Sequence, residues 1–376
     1  MPPRKSSSSK KQESTPMNAE FIQCCKVLGF QDDEFVLQIT PFLNKSETHL
    51  RLVNLTINSN SGKLILRFMQ RYQKLQQVTF YSCVFSDPSF YKQLSSEFNK
   101  CTANSISFDY IPEQRDNLLP LLMTPSLDIL SLRGNQCITS YDFIAHQKRP
   151  FPPSLNTFFN TLCNSPIKVL NLYGCHLGDE GAITLAHSLY FNKNLQCLSL
   201  ARNRIGDDGA IALSSALSRY VLDEQETAIV EKFKNDESKP KISDEGGVLI
   251  KKKKGQKSVP VKKHPPPRAA GKKGAQAHQI TERLNNFDPS AQVKAIIFNK
   301  WNSCITLPDT NQKVIPGNTT ISSLILDENN ITEKGGKALM EMLNYNNRIV
   351  QFSIVNNDDL KQETICKLRR IIPQSY

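Results

Sequence analysis

The fold of this chain is decided by one stretch, LSLARNRIGDDGA at residues 198–210. The same pattern begins earlier at Leu170 and occurs again from Leu324. The three copies agree in residue type at eight positions: six are apolar, one is Asn or Cys, and one is Gly. Agreement of this kind indicates an internal repeat, and a repeat determines the whole architecture.

The repeated pattern has a physical meaning. In Leu-x-Leu, the two leucines point to one side of a short strand, and their neighbours point to the other side. An Asn such as Asn203 can bond backbone groups of neighbouring coils that would otherwise be buried without partners. The acidic residues Asp207 and Asp208 suit the start of a helix, whose buried face would contain Leu213 and Leu217. One strand and one helix cannot bury these faces alone, so the copies must stack.

Weaker copies extend the array in both directions. The first contains Leu55 and Ile57, which would place Thr56 and Asn58 on the outward side of its strand. Residues 17–50 are expected to form a helical N-terminal cap. In total we expect nine strands at uneven intervals, in sets that begin at Leu52, Leu75, Ile106, Leu127, Ile167, Leu195, Val293, Ile321 and Ile349.

A long insertion interrupts the array between the sets at Leu195 and Val293. These sets lie 98 residues apart, which is 70 more than one 28-residue repeat. We expect residues 218–234 to lengthen the preceding helix, and residues 235–278, rich in Lys, Pro and Gly, to be disordered or conditionally ordered. A smaller insertion lies near residues 139–154. The predicted segments are 1–16 (basic tail), 17–50 (cap), 51–220 (first repeat block), 221–288 (helix extension and insert) and 289–376 (second repeat block and cap).

Composition and charge restrict the function. The net charge is +12, but the positive excess lies in residues 1–15 and 239–273, so the repeat body is close to neutral. No run of 18 apolar residues suggests a membrane span, and residues 1–15 do not resemble a signal peptide. Ten cysteines without CxxC spacing are typical of reduced thiols, so we expect an intracellular protein.

Motifs for catalysis are missing from the sequence. It contains no Walker loop, GxGxxG, HExxH or nucleophile elbow. The Gly-Asp-Glu-Gly and Gly-Asp-Asp-Gly segments recur at the repeat period, which favours helix starts over metal sites. We therefore expect no catalytic residue, metal, cofactor or small-molecule substrate. Arg202 is the one residue that suggests an alternative, since an arginine on such a loop can act on a GTPase.

Two sets of residues are candidates for binding. The first set faces outward beside the strand leucines, on the concave side of the predicted solenoid, and its mixture of tyrosines, hydroxyls and charges suits a protein partner. It comprises Tyr81, Asp109, Arg133, Asn171, Tyr173, Ser199, Asn299 and Asp327. The second set is basic and would anchor a polyanion, such as the acidic tails of tubulin. It comprises Lys251, Lys252, Lys253, Lys254, Lys262 and Lys263.

The lysine tract has three interpretations. It could be a solvated linker, a nuclear localisation signal or an electrostatic anchor. No aromatic residues alternate with the lysines, and the concave face is not uniformly basic, so nucleic acid is a disfavoured partner. We favour the anchor.

The copies at Leu170, Leu198 and Leu324 resemble leucine-rich repeats of the ribonuclease-inhibitor class. That resemblance implies an α/β solenoid, a horseshoe with parallel strands on its concave face and helices on its convex face. The order of elements is similar to that of the leucine-rich-repeat-containing protein 71 family: two clear repeats ending at Leu217, a Glu-rich run with Val230, a basic insert, and resumption through residues 314–326. That family is associated with motile cilia and flagella.

This narrower resemblance implies a non-enzymatic scaffold of the axoneme, with other axonemal proteins as partners. Two alternatives stay open on the sequence. One is a GTPase-activating or signalling repeat protein. The other is a nuclear or RNA-associated adaptor that acts through its lysine tract.

Overall fold

The structure is a computed structural model of the chain. It describes residues 16–30, 33–111, 118–135, 141–142, 147–148, 153–235 and 303–371. Contacts divide the chain into two compact units, one formed by residues 1–218 with 317–376 and the other by Arg219–Pro316. The first unit contains the repeats.

The repeat unit is built on one parallel sheet. Each strand is short and pairs with the strand of the next coil. In chain order along the sheet, the strands are β1 (His49–Val53), β3 (Gln77–Tyr81), β5 (Ser105–Asp109), β6 (Ile129–Ser131), β9 (Val169–Asn171), β10 (Cys197–Ser199), β14 (Ser323–Ile325) and β15 (Gln351–Ser353). Short pairs lie outside this sheet: β2 (Thr56–Ile57) with β4 (Val84–Phe85), and β7 (Tyr141–Asp142) with β8 (Gln147–Lys148).

Helices cover one side of this sheet and pack against one another in chain order. Leu185 and Leu189 are fully buried, as the repeat pattern predicts for a helix face turned toward the strands. The helices are α1 (Met17–Leu28), α2 (Asp33–Leu43), α3 (Ser59–Arg71), α4 (Ser89–Phe98), α5 (Leu119–Leu122), α6 (Pro153–Leu162), α7 (Gly178–Phe191), α8 (Asp207–Leu217), α10 (Glu333–Tyr345) and α11 (Gln362–Ile371), while α9 (Glu224–Asn235) belongs to the other unit. The predicted solenoid of parallel strands and helices is confirmed.

Strand register shows where the period is kept and where it breaks. Leu198 pairs with Leu170 on one side and with Leu324 on the other, so equivalent residues of the repeat face one another even across the long insertion. The step into β6, from Ile106 to Leu130, is shorter than one repeat, and the next step, from Leu130 to Leu170, is longer. The longer step contains the segment near residues 139–154, where the sequence predicts a small insertion.

Two strand predictions are wrong. The first strand lies at Leu50 and Leu52, which pair with Val78 and Phe80. The sequence pattern predicts this strand five residues later, at Leu55 and Ile57. Thr56 and Asn58 therefore do not lie in the main sheet. The expected strand at 293–298 has no place between its neighbours, because β10 and β14 pair directly. Residues 293–298 themselves lie outside the described ranges.

Asparagines link the coils, as the sequence predicts. The Asn203 side chain donates to the carbonyl of Leu172 at 2.8 Å and accepts from the backbone of Leu177. Asn329 repeats this arrangement one coil later, donating to the Leu200 carbonyl and accepting from Asn203. Both side chains are buried. They satisfy backbone groups that the stacking of coils removes from water.

The acidic residues at the helix starts also act between coils. Asp179 accepts backbone hydrogen bonds from Gly206 and Gly209, at the start of the next helix. Asp207 accepts from Thr332 and Gly335 one coil further on. The sequence correctly associates these residues with helix starts, but each of these two carboxylates caps the helix of the following coil. The caps therefore stabilise the stack as well as single helices.

The Arg219–Pro316 unit has a small antiparallel sheet of its own. Strand β13 (Lys313–Ile315) lies between β11 (Tyr220–Val221) and β12 (Ile305–Thr306). Helix α9 follows β11, and the Tyr220 hydroxyl donates to Glu226 near its start. The expected extension of α8 through residue 234 is therefore wrong: α8 ends at Leu217, before a strand and a separate helix. Residues 236–302, with the lysine tract, lie outside the described ranges.

Candidate functional site

A column of left-handed residues runs along the carboxyl ends of the strands. Each residue has a φ between 49° and 71°. In all but the last, the backbone N–H donates to a carbonyl of the next coil, for example Tyr110 to Arg133 at 2.7 Å. The left-handed column consists of Asn54, Ser82, Tyr110, Gly134, Gly174, Arg202, Glu328 and Asn356. This column extends the sheet by one hydrogen bond per coil. We call the side of the sheet opposite the helices the open face, and the left-handed column lines one edge of it.

Tyrosine and arginine side chains form a continuous row on the open face. The guanidinium of Arg133 lies 4.5 Å from the ring centre of Tyr173 and 5.9 Å from that of Tyr110. Arg51 lies 5.3 Å from the Tyr81 ring, which is 5.2 Å from Tyr110. An arginine nitrogen of Arg202 lies 3.4 Å from the Tyr173 hydroxyl oxygen and donates to it. We call Arg51, Tyr81, Tyr110, Arg133, Tyr173 and Arg202 the tyrosine–arginine row.

The row orders its own side chains. Cations over aromatic faces gain electrostatic attraction, by about 0.5–1 kcal/mol at exposed sites. Each ring of the row touches an arginine or another ring. A tyrosine or arginine held in this way loses less rotamer freedom when it meets a partner.

The structure brings together four of the predicted binding residues. Tyr81, Arg133 and Tyr173 belong to the row, and Asp109 lies beside Arg133 on the same face. The predicted residues Asn171, Ser199 and Asp327 are half-buried on strands of the main sheet or directly after them. The predicted residues Asn299, Lys251, Lys252, Lys253, Lys254, Lys262 and Lys263 lie outside the described residues.

Two acidic residues of the open face are held by hydroxyl groups. Asp109 accepts a hydrogen bond from Ser131 at 2.7 Å, and Asp327 accepts one from Ser353 at 2.6 Å. Burial raises the pKa of Asp109, while the Ser131 hydroxyl and the charge of Arg133 act in the opposite direction. Because each carboxylate accepts a hydrogen bond from a serine of the next coil, it lies along the sheet surface and does not project from it.

A cleft of about 660 Å³ opens beside the row, at the carboxyl ends of the strands from β5 to β15. Its lining includes Gly134 and Gly174, which adjoin Tyr110 on one side and Arg202 on the other along the left-handed column. A Cβ atom added at Gly134 would lie 2.3 Å from the Tyr110 ring. Apart from its two chain neighbours, the nearest atom to a Cβ added at Gly174 is the Cα of Gly134, at 3.9 Å. The ring therefore fills the space over Gly134, and an open notch remains over Gly174.

Charges of both signs line the cleft. Burial lowers the pKa of His176, and the nearby charges of Arg204 and Arg202 lower it further. On the other side lie Glu328 and Asp358, and Glu328 is 3.9 Å from Arg202. The cleft thus has a cationic side and an acidic side.

Sequence reasoning missed part of this site for two reasons. The pattern at Leu55 and Ile57 predicts the first strand five residues too late, so it does not assign Arg51 to the open face. Tyr110 and Gly134 follow their strands, where a Leu-x-Leu pattern no longer fixes direction. The recurrence of the left-handed position would have revealed them, since it lies two residues after the second apolar strand position in every coil.

The groups gathered at this site are cations, aromatic rings and carboxylates, which suit recognition of another molecule. Within the described residues, no group of three His, Cys, Asp or Glu side chains could hold a metal ion. Arg202, the candidate for action on a GTPase, is mostly exposed and contacts Tyr173 and Glu328. The described helices also include none with the length and apolar character needed to cross a bilayer.

Comparison with protein families agrees with the geometry. A model of a leucine-rich repeat matches residues 163–186, 191–214 and 317–340. These segments contain β9, β10 and β14, which are neighbours in the sheet. No curated protein matches the chain. The three matched segments, and the parallel sheet that runs through them, show that the chain contains leucine-rich repeats stacked in a solenoid.

Proposed function

We propose that this protein is a non-enzymatic scaffold that binds another protein on its open face. The observation that carries the proposal is the tyrosine–arginine row, which crosses consecutive coils from Arg51 to Arg202. Tyrosine and arginine dominate the energetics of protein interfaces because they combine large contact area with hydrogen bonding. Stacking of coils produces the long surface that such binding needs.

The composition of the face favours protein over nucleic acid. A nucleic-acid surface needs many cations to neutralise phosphates. Here Asp109, Asp327 and Glu328 lie on the same sheet face or its edge as the arginines. A partner with mixed charge and apolar groups matches this surface better.

Cross-linking mass spectrometry in the native cell extract tests the proposal. We expect Tyr81→Ser with Tyr173→Ser to abolish cross-links to a specific protein partner, because two anchors of the row are lost. Lys193→Ser is the matched control, since Lys193 is exposed just after α7. Unchanged cross-links in the double variant, or equal loss in the control, would contradict binding on the open face.

We propose further that the partner is axonemal and that the protein resides in the cilium or flagellum. This proposal is supported by the order of repeats and basic insert in the sequence, which resembles a family associated with cilia. The lysine tract would anchor the scaffold on acidic tails of tubulin. Mass spectrometry of salt- and detergent-extracted flagella tests it: the protein should persist in the extracted axoneme, and its absence there would refute the location.

Two further assays address the alternative functions. Stimulation of a GTPase that disappears in Arg202→Ala would replace the scaffold with a GTPase activator. Loss of nuclear accumulation after deletion of residues 251–273 would instead favour a nuclear adaptor. We expect neither result.

A further inference from the structure

The cleft beside the tyrosine–arginine row has the chemistry of a carboxylate site. We infer that it binds an acidic, extended segment of the protein partner, with a carboxylate over Gly174 held between the guanidinium groups of Arg133 and Arg202. This inference rests on the proposed binding at the open face. It adds the chemistry of the partner.

Two arginines converge on one tyrosine at the cleft. The Arg133 guanidinium lies over the Tyr173 ring at 4.5 Å, while Arg202 reaches the hydroxyl of the same residue at 3.4 Å. Arginine presents several N–H donors in a plane, and a carboxylate can accept two of them at once. The shared tyrosine holds both cations near one point before any ligand arrives.

The arginines keep donors for a ligand. Arg202 has one nearby carboxylate in Glu328, but at 3.9 Å the two side chains are at the limit of an ion pair. For Arg133, no ion pair is found among the described residues: its guanidinium donates one hydrogen bond to the Tyr110 hydroxyl, and the adjacent Asp109 accepts from Ser131. Exposed ion pairs of such length contribute little. An incoming carboxylate therefore does not have to displace a strong internal partner.

Glycine gives the ligand room to approach. Apart from the chain neighbours Tyr173 and Cys175, no side-chain atom lies within 4 Å of a Cβ added at Gly174, and both cleft glycines have positive φ. Four neighbouring coils place Tyr110, Gly134, Gly174 and Arg202 in sequence along the edge of the sheet. An extended chain could lie across this edge with one side chain in the notch, because glycine allows close backbone approach.

Charge on the other side of the cleft limits what fits. Glu328 and Asp358 line the side away from Tyr110. A dense polyanion such as single-stranded nucleic acid would place phosphates near these carboxylates and be repelled. A protein segment can have a carboxylate at the notch and a neutral or basic residue beyond it. The charge pattern thus favours an acidic peptide over nucleic acid.

Fluorescence anisotropy with defined peptides tests the inference. The probes are a labelled octapeptide of alternating glutamate and glycine and its glutamine counterpart. The full chain is used with Lys251, Lys252, Lys253, Lys254, Lys262 and Lys263 replaced by serine, so that the basic tract does not bind the probe. We expect the glutamate peptide to bind more tightly, and Arg133→Gln or Arg202→Gln to weaken that binding about tenfold.

Arg67→Gln is the matched control. Arg67 is an exposed arginine of α3, one of the helices on the other side of the sheet, and it does not belong to the row or line the cleft. We expect its replacement to change affinity by less than about twofold. Equal affinity for the two peptides, or an equal effect of Arg67→Gln and Arg133→Gln, would overturn the inference. So would tighter binding of a single-stranded oligonucleotide that Arg133→Gln abolishes.

The two proposals fail separately. If cross-links to a partner depend on Tyr81 and Tyr173 but binding of the glutamate peptide does not require Arg133, only the inference of an acidic segment is wrong. If the cross-links also ignore the tyrosines, the open face is not the binding surface.

Discussion

At the scale of residues, the pKa values of two equivalent aspartates in successive coils are shifted in opposite directions. Asp207 accepts from two backbone groups and from the Thr332 hydroxyl at 2.7 Å. Burial acts to raise its pKa, but these hydrogen bonds outweigh burial and lower it. For Asp179, burial prevails over the hydrogen bonds from Gly206 and Gly209, and its pKa is raised. Both aspartates cap a helix in the same way, but the charged carboxylate is favoured at Asp207 and disfavoured by burial at Asp179.

We expect Asp207→Asn to lower the free energy of unfolding by about 1 kcal/mol at pH 7. The pKa of Asp207 is lower in the folded protein than in the unfolded chain, where it is about 3.9. The stabilisation by Asp207 is therefore present at pH values above the unfolded pKa, and it is lost as the pH falls through the folded pKa. Asp179→Asn should be neutral or stabilising at pH 7, because the raised pKa of Asp179 makes its charged form unfavourable there. Urea unfolding of both variants at pH 7 and about pH 3 measures this. An equal loss in the two variants at pH 7 would contradict it.

At the scale of elements, the strands depend on the direction of single side chains. Leu198 is 1% exposed and pairs with β9 and β14, while Ser199 faces the open side. We expect Leu198→Asp to lower the free energy of unfolding by about 4 kcal/mol or more, since an unpaired charge is buried and leucine packing is lost. Ser199→Asp is the control and should unfold almost like the natural chain. Circular dichroism during thermal denaturation compares them, and near-normal stability of Leu198→Asp would refute the core assignment.

The elements also show how far the sequence determines the structure. Strands β9, β10, β14 and β15 follow from the pattern, because each has Leu-x-Leu or its equivalent at a spacing set by the repeat. The first strand is ambiguous, since Leu50-x-Leu52 and Leu55-x-Ile57 both fit. Only pairing with Val78 in the next coil decides in favour of Leu50. A local pattern fixes which residues are buried, but register requires the neighbouring coil.

The candidate site was predictable to a similar extent. Tyr81, Arg133 and Tyr173 follow from side-chain alternation, because each comes directly after the second apolar position of its Leu-x-Leu pattern. Tyr110 and Gly174 come two residues after that position and depend on a left-handed backbone that alternation does not describe. Contacts between rings and guanidinium groups join different coils, and these depend on the exact stacking of the array.

At the scale of the whole molecule, the long insertion enters and leaves the array at one point. The step from Leu198 to Leu324 equals one repeat plus the whole of Arg219–Pro316. Gly317 lies against Ser218: a Cβ added to this glycine would be 2.1 Å from the Ser218 carbonyl oxygen. The repeat resumes with Asn318, whose backbone N–H donates to Ala216 at 2.8 Å.

We therefore expect a chain that joins Ser218 directly to Gly317 to fold. Removal of Arg219–Pro316 restores the repeat period, so β14 can still pair with β10. The melting temperature should change by no more than about 4 °C. Differential scanning calorimetry and limited proteolysis measure it. Early, separate melting or rapid cleavage of the segment from Gly317 onward would show that the second unit is needed to hold the last coils.

The position of the insertion also matters while the chain is being made. Strand β10 is complete long before its neighbour β14, because the whole of Arg219–Pro316 is translated between the two repeats. At about 5–20 residues per second, the edge of β10 stays uncovered for roughly 6–25 s on a ribosome. An uncovered strand edge can pair with another chain. Two nascent copies on one message could exchange their last coils at this edge and emerge as a swapped dimer.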